Sequence, residues 1–184
     1  MRKIVLMLVI ALLPIAAKAQ NGFIGRELQF TDDGVALSYQ ISILSDSDGN
    51  LGWFAWSFVS KHWSEMYSGL SYSPADWFQF GVGLGIETAD NPLRYGGFLW
   101  AGKEKFSVLV LGEDGGSGWW HRIVANYQLT NRLGVGVFNQ YLIGLGPRVQ
   151  VEIYKFELWG TATYTNNTQS SNAITGLIGL QLLF

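Results

Sequence analysis

Apolar residues recur at every second position along most of this chain. The clearest stretch is Phe78, Phe80, Val82, Leu84 and Ile86, alternating with Gln79, Gly81, Gly83, Gly85 and Glu87. Val35, Leu37, Tyr39, Ile41 and Ile43 do the same against Ala36, Ser38, Gln40 and Ser42. Strict alternation is the signature of a β-strand whose two faces meet different surroundings. Glycine at every second place on the less apolar face leaves room on the inside of a curved sheet. Polar or glycine-rich breaks separate the strands: Thr31–Gly34, Ser45–Asn50, Thr88–Leu93, Gly102–Lys105, Glu113–Gly118, Thr130–Arg132 and Gly144–Pro147. At Tyr154-Lys155 the alternation changes phase, which a two-residue turn explains and a bulge would also allow. Thr165–Asn172 is the most polar segment and is expected to face the outside of the cell.

Ten strands follow between Val35 and Phe184, with Glu113–Gly118 read as a flexible loop. Two stretches leave the number open. Asn21–Phe30 is either a first strand or a lead-in, and Lys61–Pro74 is either a loop or holds a short strand at 66–72. Counts of eight and twelve therefore remain compatible with the pattern. An even number keeps both termini on one side, and about 9–11 residues per membrane-crossing strand favours a small barrel.

Composition changes this picture from a β-protein to a membrane β-protein. Charged residues make up 14% of the chain, well below the roughly 25% of soluble domains. Yet beyond residue 19 no apolar run approaches the roughly 20 residues of a spanning helix. Apolar surface spread over alternating strands is what a closed barrel in lipid requires, because every backbone hydrogen bond must close internally. Arg2 and Lys3, the apolar run Ile4–Ala17 and the small residues of Ala17-Lys18-Ala19 form a secretory signal peptide over residues 1–19, leaving 20–184 as a single barrel domain. Without Arg2, Lys3 and Lys18 the formal charge is 9 minus 14, or −5, which argues against nucleic acid as a partner. The chain has no cysteine, and its two separated histidines make no metal site. No cofactor is implied.

The final segment, Ala173–Phe184, sets Ile174, Gly176, Ile178, Leu180, Leu182 and Phe184 on one face and stops on an aromatic residue. It resembles the closing strand of the outer-membrane β-barrel proteins of Gram-negative bacteria. That resemblance implies a transmembrane, antiparallel, up-and-down β-barrel in the outer membrane, with lipid and lipopolysaccharide around it. It also implies recognition of the Phe184 strand by the barrel-assembly machinery. The eight tryptophans are then expected in interfacial girdles.

With the more apolar faces turned to lipid, the inner face gathers Gln40, Gln79, Glu87, Arg122, Asn126, Gln128, Arg148, Gln150, Glu152 and Glu157. Charges in such a lumen must be paired. Arg122 and Arg148 are expected to neutralise some of Glu87, Glu152 and Glu157. This network is either a structural plug or the constriction of a narrow channel.

One constellation carries possible chemistry. His62 and Ser64 are two apart, and Asp76 would lie beside them if a hairpin turned near Leu70. The pair resembles the His-x-Ser arrangement of two outer-membrane esterase families, the lipid A deacylases and the outer-membrane phospholipases. The resemblance implies Ser64 as nucleophile, His62 as base and Asp76 as orienter, on the lipid-facing wall. The chain departs from it in carrying Glu65 where those families have Asn, and in placing this hairpin at the periplasmic end. His62 and Ser64 are more simply read as interfacial polar residues, as is His121. Three functions follow in order: a structural barrel or narrow channel without catalysis, a membrane-embedded lipid esterase, and a soluble periplasmic barrel holding an apolar ligand.

Overall fold

The computed structural model describes residues 21–31, 34–46, 50–165 and 173–184. Residues 1–19, where a signal peptide is expected, and most of Thr165–Asn172 lie outside the described residues. The chain forms a closed barrel of twelve antiparallel strands: β1 (Asn21–Thr31), β2 (Gly34–Asp46), β3 (Leu51–Ser60), β4 (Ser64–Ala75), β5 (Phe78–Glu87) and β6 (Leu93–Lys103) make one half. The other half is β7 (Phe106–Gly115), β8 (Trp120–Gln128), β9 (Leu133–Gln140), β10 (Gly144–Ile153), β11 (Phe156–Thr165) and β12 (Ala173–Leu183). Each strand pairs with its sequence neighbours, and β1 closes the barrel against β12 from Phe23↔Leu183 to Phe30↔Gly176.

The count of ten is thus corrected to twelve. The two added strands are the two stretches without clean alternation. β1 alternates Ile24, Leu28 and Phe30 with Gly25 and Glu27, but Arg26 interrupts the apolar face, where its guanidinium lies 5.3 Å over the Tyr39 ring. β4 mixes polar and apolar residues on both faces, yet it is hydrogen-bonded along its length to β3 and β5. Backbone pairing on both sides satisfies the strand whatever its side chains. Glu113–Gly115 likewise belongs to β7 rather than to a loop. The phase change at Tyr154-Lys155 is a two-residue turn between β10 and β11, with Tyr154 in the left-handed region at φ 57°.

The orientation of most strands follows the alternation. Phe80, Leu84, Ile178 and Leu182 are 41%, 65%, 46% and 37% exposed on the barrel's exterior, while Gln79 is buried. Aromatic side chains stand exposed at both rims, Tyr95, Trp119, Tyr141 and Tyr164 at one and Trp77, Tyr127, Tyr154 and Phe156 at the other. The second rim carries the termini and the short turns at 76–77, 104–105 and 154–155.

β3 is the exception. Its more apolar face, Phe54, Trp56 and Phe58, turns into the lumen. Phe54 packs edge-on against Tyr67 and Phe98, and Trp56 contacts Tyr67. A barrel of this circumference leaves more interior than glycine and serine can fill, so aromatic rings occupy it. Gly81 makes the space: a Cβ there would lie 2.5 Å from the Phe98 ring and 2.8 Å from the Phe54 ring. On the opposite wall Phe138 stacks on Trp159 at 5.7 Å, together with Ile143 and Leu177.

Candidate functional site: the occluded lumen

Three arginines point inward, each with its own carboxylates. Arg122 on β8 spans the lumen. Its Nη1 and Nη2 donate to the two oxygens of Glu27 on β1 at 2.7 and 2.9 Å, its Nη1 also to Gln40 at 3.2 Å, and its Nε to Gln140 at 2.7 Å. β1 and β8 lie five strands apart one way round the barrel and seven the other, so this two-pronged ion pair joins nearly opposite walls. The same guanidinium lies 5.7 Å over the Trp120 ring and 5.4 Å over that of Phe138. Trp56 on β3 approaches Trp120 on β8 at 6.1 Å, a second contact across the interior. Together they form a partition.

Above it, toward the rim without the termini, sits a second group. Arg94 on β6 bonds Glu87 and Glu113 and lies 3.2 Å from Glu65. Ser117, in the turn after β7, folds over this cluster, donating its backbone N–H to Glu87 at 2.7 Å. One guanidinium facing three carboxylates gives the group a formal charge of −2 when all are ionised. A third group, nearer the termini, has Arg148 donating to Asn126 at 2.8 Å, to Gln150, and to Glu157 at 2.7 Å, with its guanidinium 4.9 Å over Trp159.

The pairings differ from those expected. Arg148 does neutralise Glu157, but Glu87 pairs with Arg94, and Arg122 takes Glu27. Gln128 and Glu152 sit at the termini rim, half-buried. Gln79 is buried in the lumen wall. Sequence reasoning left out Glu27, Glu65, Arg94, Glu113 and Gln140. In the structure they share parity with inward neighbours, Glu113 with Leu109 and Leu111, and Arg94 with Phe98. Both faces of β7 are apolar, so the alternation there carries no sign.

The structure does not bring His62, Ser64 and Asp76 together. The turn near Leu70 does not exist, because β4 runs unbroken from Ser64 to Ala75. Ser64 begins that strand and Asp76 follows its end, which at about 3.3 Å per residue allows up to roughly 40 Å between them and sets them at opposite rims. His62 is exposed in the β3–β4 turn. Ser64 accepts the Thr88 backbone N–H at 3.0 Å and donates its own to the Thr88 hydroxyl at 3.2 Å, and Trp63 donates its indole N–H to Glu65 at 3.1 Å. His121 makes a rim contact instead, receiving the Trp119 indole N–H at 3.2 Å beside Tyr141. Among the described residues no group of His, Cys, Asp and Glu could hold a metal ion.

Below the partition the lumen is hollow. A cavity of about 770 Å³ extends from Arg122 and Gln40 to Asn21 and Asp76 at the termini rim.

No family's sequence profile matches the chain, and no curated protein matches it significantly. Solved structures do. A KdgM porin in complex with disordered oligogalacturonate aligns with 12% identity over 89% of this chain and 99% of its own, at a TM-score of 0.58. The NanC porin aligns with 9% identity over 86% and 98%, at 0.56. Outer membrane phospholipase A from Escherichia coli aligns with 13% identity over 89% and 90%, at 0.53. At these identities the likeness is one of fold: a small, closed, antiparallel β-barrel.

Proposed function

We propose that this barrel is an integral outer-membrane protein whose passage is a narrow channel held closed by the Arg122 partition, without catalysis. The reading proceeds from the fold shared with the porins and from an exterior that is apolar between two aromatic rims, as lipid demands. Insertion through the barrel-assembly machinery, using the outward face of β12 that ends in Phe184, belongs to the same reading, as do lipid and lipopolysaccharide as its surroundings. The rim without the termini then faces the cell exterior. The observation that carries the proposal is the two-pronged Glu27–Arg122 pair linking opposite walls. A plug needed only for stability could be met by hydrophobic fill; a charged strut across the path also sets what passes. The esterase reading lacks support here, since its three side chains stand apart.

The test is single-channel recording in planar bilayers. The intact protein gives small, infrequent currents. The Glu27→Ala/Arg122→Ala double variant, which removes the strut without leaving a lone charge, gives severalfold larger conductance. Absence of current from both proteins overturns the channel reading. Recovery of the protein in the soluble periplasm, rather than with dense outer-membrane vesicles, overturns the location.

A further inference from the structure

The hollow below the partition has the composition of a ligand site. Its volume, about 770 Å³, falls within the roughly 300–1,000 Å³ of small-molecule pockets. Its walls are unusually apolar for a water-filled lumen: Phe54, Trp56, Phe98, Trp100, Phe138 and Trp159 all line it. Its two guanidinium groups are already matched, Arg122 by Glu27 and Arg148 by Glu157. The one other charged group lining it, Asp76, stands exposed at the mouth, so the interior has no spare charge for an ionic ligand. It does have a spare donor. Gln40 is 2% exposed, its carbonyl oxygen is held by Arg122, and its Nε2 has no hydrogen-bond partner. A buried, unpartnered amide N–H₂ is costly unless something accepts from it. Gln40 lines the cavity beside Arg122.

We infer that this cavity binds a neutral amphipathic molecule, its aromatic or alkyl body lodged among these rings and an acceptor oxygen placed at Gln40 Nε2. The partition blocks approach from one side, so the molecule enters from the rim that carries the termini. The inference stands whether or not the barrel conducts. Rings contribute most of the binding, since apolar area removed from water is the dominant favourable term. The hydrogen bond to Gln40 fixes orientation and contributes about fivefold in affinity.

The test uses the full barrel in lipid nanodiscs and prodan, a neutral naphthyl ketone whose emission reports hydrogen bonding to its carbonyl. Trp56, Trp100 and Trp159 serve as energy-transfer donors. The expected result is saturable transfer with one probe per barrel, above the linear background of empty nanodiscs. Val124→Phe/Ser107→Leu, which fills the cavity, weakens binding at least tenfold. Gln40→Leu weakens it about fivefold and shifts the bound probe's emission to the blue. The Gln40→Leu spectrum is informative even if the cavity-filling variant fails to fold. Transfer that rises linearly and equally in wild type and Gln40→Leu, with no saturation, is partition into lipid only and overturns the inference. So does saturable binding that neither substitution alters.

Discussion

Removing Glu27 should be among the most damaging single changes in the lumen, and removing Arg122 with it should repair much of the damage. In Glu27→Leu the Arg122 guanidinium loses both carboxylate contacts, at 2.7 and 2.9 Å, while both residues are about 95% buried, at 5% and 6% exposure. Stranding one member of a buried ion pair costs about 3–5 kcal/mol. Arg122 keeps Gln40, Gln140 and two aromatic faces, which places the loss near the lower end, about 3 kcal/mol. Replacing both partners by apolar side chains of similar size is close to neutral in such cases, so Glu27→Leu/Arg122→Met should regain about 2 kcal/mol of that loss. Equilibrium urea unfolding in lipid vesicles, followed by tryptophan emission, measures it. With slopes of about 2–3 kcal/mol per molar urea, the single variant unfolds about 1 M earlier and the double variant close to wild type. A Glu27→Leu midpoint within about 0.2 M of wild type would show that the pair is not buried as described. A double variant no better than the single would show that Arg122 is not left stranded.

Other expectations rest on different parts of the barrel. A Cβ at Gly179 would overlap the Trp159 indole, whereas at Gly160 the nearest atom stands at 3.6 Å; Gly179→Ala should cost about 1–3 kcal/mol and Gly160→Ala should not lower the unfolding midpoint. Val82 is 69% exposed at the middle of β5, so Val82→Arg should cost about 2–4 kcal/mol in vesicles, and a negligible effect would deny that this wall meets acyl chains. In the Arg94 group, Glu65→Gln relieves like-charge crowding and should be neutral or stabilising. Arg94→Met leaves Glu65, Glu87 and Glu113 facing one another and should cost about 3–5 kcal/mol, read by the same unfolding assay.

The alternation of Phe80 to Ile86 and of Ile174 to Leu182 determined, without any coordinates, that these strands turn apolar side chains outward and glycine or glutamine inward. The two-residue turn at Tyr154-Lys155 was equally legible, because a phase change in a period-two pattern requires a reversal or a bulge. A strand's two faces are a local property, and local order shows in a local pattern. Strand number and lumen chemistry are not local. β1 and β4 exist because neighbours on both sides bond their backbones, which no side-chain rhythm records. Phe54 faces inward because Gly81, on a strand two places round the sheet, leaves it room. Glu27 meets Arg122 across 95 residues, and only closure of the barrel brings those walls face to face. A single extended strand, β4, separates Ser64 from Asp76, which the sequence sets close together.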